Sequence, residues 1–220
     1  MFDIPLFPER ASTLAGEVDA LYFFLVGLAG FFSLLIAGLI VAFAIRFRRR
    51  HPDEVGAQVH GGLLLEIGWT VIPFIITMVI FFWGAKVYFA KANPPDETLN
   101  IYVVGKQWMW KVQHVTGQRE INELHVPVGR PVRLIMTSED VIHDFSIPAM
   151  RIKADVIPGR FVQIWFEPTN PGTYQIFCAE YCGTQHSAMI GRVSVMEPGA
   201  YQAWLRGGTA EDSLGSRGEK

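Results

Sequence analysis

Only two cysteines, Cys178 and Cys182, occur in the 220-residue chain, four positions apart. One pair cannot staple a disulfide-rich scaffold, so a single local bridge or a shared metal is the remaining choice. Charge is scarce as well. Nineteen basic residues face 21 acidic ones, a formal balance of −2, and no overall basic charge argues for nucleic acid. No Cys-x-x-Cys-His run is present, so no covalent heme is expected in this chain. No internal repeat is visible. Apolar and aromatic side chains are abundant, at 50% and 13% of the residues, which is not the composition of a disordered chain.

The apolar residues gather in two long blocks. Leu21 to Ile45 contains one polar side chain, Ser33. A helix needs about 20 apolar residues to cross the hydrocarbon core of a bilayer. The block is too long for a signal-peptide core, and Asp3, Glu9, Glu17 and Asp19 precede it where a signal would carry basic residues. A retained span over 21–45 is the expectation. A second span over 63–89 carries Glu66 near one end, Lys86 near the other and Pro73 inside, a residue that can bend a helix. The linking segment 46–62 begins with Arg46, Arg48, Arg49 and Arg50, whereas residues 1–20 hold only Arg10. Basic residues collect on the cytoplasmic side. The hairpin tip is therefore expected inside, and both termini outside.

The pattern changes after residue 95. Short β-prone runs (Leu99–Val104, Trp108–Val115, Pro131–Met136, Arg160–Phe166, Thr173–Cys178 and Met189–Val195) alternate with Pro and Gly punctuation. Such spacing predicts an all-β sandwich or barrel over 95–206, with a short helix near Gly199–Arg206. Residues 207–220 read as a loose tail. The fold class is thus membrane α plus all-β, a two-helix transmembrane hairpin followed by a β-sandwich or barrel.

Chemistry concentrates in Cys178-Ala179-Glu180-Tyr181-Cys182-Gly183-Thr184-Gln185-His186-Ser187-Ala188-Met189. Thiolate and thioether ligands favour copper, zinc and iron–sulfur sites, and imidazole suits copper or zinc. A single electron-transfer copper takes two His, one Cys and a weak axial Met. Here there is one Cys more, and a second thiolate lets two sulfurs bridge two copper ions. His143, in Ser138-Glu139-Asp140-Val141-Ile142-His143 at the start of a predicted strand, is the best second imidazole. Two bland readings stand beside this one. External cysteines often pair as a disulfide, and zinc takes similar ligands, although Met is a poor reason to build a zinc site. His60, His114 and His125 lack ligand context and read as loop or surface residues.

The loop, the upstream His and the two-span hairpin resemble cytochrome c oxidase subunit II over about residues 20 to 206. The resemblance implies a cupredoxin-like external domain and a binuclear copper centre, CuA. It implies that Cys178 and Cys182 bridge two coppers, that His143 and Met189 complete one, and that His186 and the backbone carbonyl of Glu180 complete the other. It implies that Trp108, in Gln107-Trp108-Met109-Trp110, accepts the incoming electron. Met109 stands where the family usually has Tyr, and core packing is the bland reading of both tryptophans. It further implies that the Glu180 carboxylate helps hold a magnesium ion at the boundary with subunit I. Glu66, leading into Trp69 and Pro73, would mark the mouth of a proton pathway, against a bland reading as an interfacial carboxylate. Asp155 and Arg160 match another family segment, where a structural ion pair is an equal reading.

The implied protein takes electrons from a separate cytochrome c and passes them to heme in subunit I for oxygen reduction coupled to proton translocation. It works beside further subunits and lipid in a bacterial plasma membrane. A basic donor would want an acidic face, to which Glu120, Glu123, Glu139, Asp140 and Asp144 are candidates. Rival readings are the copper subunit of a nitric oxide reductase and a non-redox tethered β-domain with a Cys178–Cys182 disulfide. A quinol oxidase subunit would lack the copper ligands. Nitrous oxide reductase would need a second large domain.

Overall fold

A computed structural model describes residues 7–58 and 61–207. The chain forms two compact units, one spanning Asp19–Tyr88, the other joining the N-terminal segment up to Val18 with the chain from Phe89 onward.

Two helices, α1 (Ala15–Arg46) and α2 (Leu63–Ala92), follow the two apolar blocks and extend past them. At 1.5 Å per residue they run roughly 45–48 Å, longer than the ~30 Å hydrocarbon core. Both are long and apolar enough to cross a membrane. Apolar residues cover all sides, so Phe31, Leu34 and Ile40 on α1 and Leu64, Phe74 and Phe82 on α2 are exposed. This is the surface of a helix solvated by lipid or by other helices, not by water. The Phe24 and Trp83 rings meet at 5.5 Å. Pro73 sits inside α2, which continues through it. Glu66 lies in the first turn of α2, where negative charge suits the helix dipole.

The second unit is a sandwich of two five-stranded sheets. The strands are β1 (Leu99–Lys106), β2 (Met109–His114), β3 (Arg119–Ile121), β4 (Glu123–Pro127), β5 (Val132–Ser138), β6 (His143–Ile147), β7 (Ile152–Val156), β8 (Val162–Phe166), β9 (Gly172–Cys178) and β10 (Ile190–Met196), with α3 (Pro198–Leu205) following. One sheet has the order β3-β2-β1-β5-β8 and the other β4-β10-β9-β6-β7. Pairs β1–β5 and β4–β10 are parallel, the rest antiparallel. Alternation sends Ile101 and Val103, Leu134 and Met136, and Tyr174 and Ile176 into a common core around Trp110, Phe145 and Phe166. Each such side chain contributes about 1.5–3 kcal/mol by burial. The same alternation turns Cys178 inward at the end of β9.

The structure adds strands that the sequence pattern hid. β3 is three residues long, β4 ends in Pro127 on a sheet edge, and β7 carries exposed Lys153 and Asp155 between its buried ends. Part of the expected N-terminal tail is docked. Ala11 donates to the Ala149 carbonyl at 2.9 Å and accepts from Thr169 at 2.9 Å, and Ser12 Oγ donates to the Met150 carbonyl at 2.8 Å. Arg151 donates to the carbonyls of Pro8 and Glu9. These bonds satisfy backbone groups that would otherwise be buried unpaired. Residues 208–220 of the expected tail, and His60, lie outside the described residues.

His114 and His125 are not surface residues. His114 is buried at the end of β2, and its Nε2 donates to Glu120 at 2.7 Å while Tyr201 of α3 donates to its Nδ1 at 3.3 Å. His125 Nδ1 bonds the other Glu120 oxygen, and its ring stacks on Trp204 at 4.7 Å. This polar knot holds α3 against the sandwich. Burial raises the Glu120 pKa, but the hydrogen bonds from His114 and His125 outweigh it and hold the carboxyl down at about 2.

Candidate metal centre

β6 pairs antiparallel with β9, with Phe145 opposite Cys178. That register brings His143, two residues earlier on β6, beside the turn that leaves β9 after Cys178. The loop then doubles back through a single 3-10 turn, His186–Ala188, into β10. Four side-chain donors within a twelve-residue stretch thereby meet a fifth from a separate strand.

The Cys178 and Cys182 sulfurs lie 3.7 Å apart, far beyond the ~2.05 Å of a disulfide. His143 Nδ1 lies 3.9 Å from Cys178 Sγ, and the Glu180 carbonyl oxygen 3.3 Å from it. His186 Nδ1 is 3.5 Å and Met189 Sδ 3.9 Å from Cys182 Sγ. One ligand atom from each of His143, Cys178 and Cys182 falls within 4.8 Å of the others. Two thiols, two imidazoles, a thioether and a carbonyl suit a soft, redox-active metal, and the donor set fits copper. Burial, then the hydrogen bond and charge of Cys178, push the Cys182 thiol up, so metal binding must release protons here.

The site is shielded unevenly. His143 is fully buried and Met189 nearly so, while His186 is half-buried and Glu180 and Tyr181 are exposed. The His143 ring is held by Asp140, whose Oδ1 lies 2.9 Å from Nε2. Asp140 also accepts from the Val141 N–H at 2.7 Å and, through Oδ2, from the Gln107 N–H at 2.8 Å. Partial burial raises the Asp140 pKa, but these bonds hold it at about 2. An ionised carboxylate only accepts, so the ring keeps its proton on Nε2 and turns the Nδ1 lone pair toward Cys178.

Close packing allows this arrangement only because of two glycines. A Cβ on Gly105 of β1 would meet His143 Cδ2 at 2.9 Å and Trp110 Cζ3 at 3.2 Å. Gly183 has φ +119 and would meet Gln107 Nε2 at 3.0 Å and Trp108 Cζ2 at 3.2 Å. In the sequence Asp140 stands out only as an acidic-face candidate and Gln107 only as the neighbour of Trp108, and neither glycine stands out at all. Asp140 offered a signal, a carboxylate three positions before the candidate His, whereas the glycines offered none.

The two tryptophans diverge. Trp110 is fully buried beside Phe145 and the His143 ring, a core residue. Trp108 is half-buried at the turn before β2, packed against the core beside Gly183. Glu66 belongs to the helical unit, in the first turn of α2. Asp155 faces Asp144 across β6 and β7, and Arg160 is exposed in the turn that follows.

The acidic face is not formed as expected. Glu120 is buried between two histidines, and Asp140 holds His143. Asp144 is buried. Its burial, opposed by Lys153 and reinforced by Asp155 and Glu180, pushes its carboxyl up to about 6. Glu139 is tied to Lys111 at 2.8 Å and Lys106 at 3.3 Å. Glu123 is half-buried.

Fold and site together define a membrane-anchored, cupredoxin-like redox-metal domain. Residues 3–87 match the family model described as the cytochrome C oxidase subunit II transmembrane domain, and residues 118–196 match its periplasmic domain. The chain is 32% identical over 248 residues to cytochrome c oxidase subunit 2 of Synechocystis sp., covering 91% of this chain and 75% of that one. It is 35% identical over 195 residues to the Alkalihalophilus pseudofirmus protein of the same name, covering 81% and 57%. The crystal structure of the periplasmic domain of subunit II of cytochrome oxidase of Bradyrhizobium japonicum aligns with a TM-score of 0.50 at 30% identity, over 55% of this chain and 99% of that one. The chain belongs to the cytochrome c oxidase subunit II family, the electron-input subunit of that oxidoreductase, and a copper centre follows from the family. Neither the nitric oxide reductase reading nor the disulfide module is favoured.

Proposed function

We propose that Cys178 and Cys182 bridge two copper ions, that His143 and Met189 complete one, and that His186 and the Glu180 carbonyl complete the other. The observation that carries this is the convergence of all six donors around two thiols 3.7 Å apart. When bound, the copper pair supplies a one-electron acceptor with its charge shared over two metals and two thiolates. The protein's own part is to hold that set rigid and dry. Asp140 fixes the His143 tautomer, buried Met189 excludes water, and the sandwich core anchors Cys178.

Trp108 is the input residue. Its half-buried ring lies against Gly183 in the metal loop and is reachable by a docked protein. The donor is a separate cytochrome c, and the half-exposed His186 edge faces the output toward heme in subunit I, beside further subunits. The exposed Glu180 carboxylate is placed to share a magnesium ion with subunit I, since magnesium takes oxygen ligands and keeps waters. Glu66 opens a proton pathway from the inner face.

The chain sits in a bacterial plasma membrane. Residues 1–20 and 95–206 lie outside, 46–62 inside, and lipid covers 21–45 and 63–89. The arginine cluster supports this orientation. So does the docking of Ala11 and Ser12 onto the sandwich, which keeps the N-terminal segment on the same side as the copper domain. The test is stopped-flow mixing of the purified oxidase with reduced cytochrome c. Rapid reduction of the copper absorbance before the heme is expected. Heme reduction with no earlier copper step overturns the reading.

A further inference from the structure

We propose that Gln107 is a positioning residue that clasps the electron-input turn to the metal loop, so that Trp108 is held against the centre it feeds. The inference rests on the reading of Trp108 and Cys182 given above.

Gln107 bonds both halves of the site. Its backbone N–H donates to Asp140 Oδ2 at 2.8 Å, and Asp140 in turn holds His143. Its side-chain Nε2 donates to the Cys182 carbonyl at 2.9 Å. One residue therefore joins the strand-borne imidazole and the loop-borne thiol across 75 positions of sequence. The adjoining Trp108 ring has no polar anchor of its own: its indole N–H is buried and finds no hydrogen-bond partner among the described residues. Packing alone orients it, and the surface it packs on is Gly183, next to Cys182. The left-handed φ of Gly183 and its bare Cα leave the space that the Gln107 carboxamide and the indole both occupy. If the carboxamide bond is removed, nothing polar fixes the distance between ring and loop. A core role alone would need no N–H donor here, because an isosteric apolar side chain would fill the same volume.

The experiment uses the full chain in the purified oxidase, with Gln107→Leu and, as a second variant of matched length that lacks the N–H donor, Gln107→Glu. Copper content is measured first. Reduction is then followed with cytochrome c and, separately, with dithionite, a small reductant that does not need the tryptophan. Hydrogen exchange of residues 179–189 is read on the metal-free full chain by mass spectrometry. The expectation is unchanged copper and unchanged dithionite reduction. Reduction by cytochrome c should be about fivefold slower, and exchange in the loop about fivefold faster, the weight of one neutral hydrogen bond. Equal slowing with both reductants, or no change in loop exchange in either variant, overturns the clasp. A wild-type chain without copper, or a Trp108→Phe variant reduced by cytochrome c at the wild-type rate, overturns the underlying reading instead and is recognised without any Gln107 variant.

Discussion

Gly105→Ala probes how tightly the sandwich locates the metal-binding imidazole. The added methyl would sit 2.9 Å from His143 Cδ2, 3.4 Å from His143 Cγ and 3.2 Å from Trp110 Cζ3. Carbon atoms prefer about 3.5–4.0 Å, so a ring must move by roughly half an ångström or more. Neither ring has room. Trp110 is fully buried against Phe145 at 4.9 Å between centroids, and His143 is fully buried between Asp140 and Cys178. Overpacking of a filled core costs about 1–3 kcal/mol. The imidazole is the one residue whose displacement also changes the copper site. The assays are chemical unfolding of the detergent-solubilised chain and the electron-spin signal of the copper-loaded form. A stability loss of about 1–3 kcal/mol with altered copper hyperfine structure is expected. The control is Gly199→Ala in α3, where the new methyl meets nothing within 4 Å beyond its chain neighbours and its own helix backbone and a helical Gly→Ala change gains up to about 1 kcal/mol. If Gly105→Ala behaved like that control and left the spectrum unchanged, the packing argument would be wrong.

Three further outcomes follow from the same geometry. Asp140→Asn keeps the oxygen that His143 and Val141 share but replaces with an NH2 the oxygen that accepts from the Gln107 N–H. It should weaken copper retention in competition with a chelator by about 10–100-fold, and retention at the wild-type level contradicts the orienting role. Glu120 has its folded pKa depressed to about 2 from 4.5. Its contribution is therefore complete above pH 4.5 and is lost as pH falls toward 2. That contribution is no more than about 3 kcal/mol, less where solvent at the partly exposed His125 ring screens it. Unfolding curves at pH 6 and pH 3 should converge for Glu120→Gln relative to wild type, and parallel curves would remove the linkage. Replacing Trp108 with Phe should slow reduction by cytochrome c while copper content stays constant. Loss of copper or of folding would instead assign the ring to the core.

Local chemistry was legible in the sequence and long-range chemistry was not. The two helices follow from composition alone, because a bilayer demands apolar length and little else. The metal loop was legible because Cys178, Cys182, His186 and Met189 lie within one short stretch, so spacing itself carried the signal. His143 was reachable only by asking what the loop lacked. Bonds across the fold were hidden. Docking of Ala11 and Ser12 onto the sandwich, the Gln107–Cys182 bond and the His114–Glu120–His125 knot join residues whose neighbours in sequence say nothing of the partner. The acidic face failed for the same reason. Carboxylates counted as free charge in the sequence are occupied in the fold, Asp140 by His143 and Glu139 by two lysines. β4 and β7 do alternate, but each is only five residues long and neither is a run of β-branched and aromatic residues: β4 ends in Pro127, and β7 sets the small Ala154 between two charges.

The central claim is a shared two-copper centre on the paired thiols, and quantifying copper alongside low-temperature electron-spin resonance tests it most directly. The chain, purified in its oxidase, should hold two copper ions per chain beyond those of its partner subunits. Its half-reduced signal should be that of one electron shared equally by both ions, and Cys182→Ser should abolish that sharing. One zinc per chain, a Cys178–Cys182 disulfide, or a signal from a single isolated copper would contradict the account.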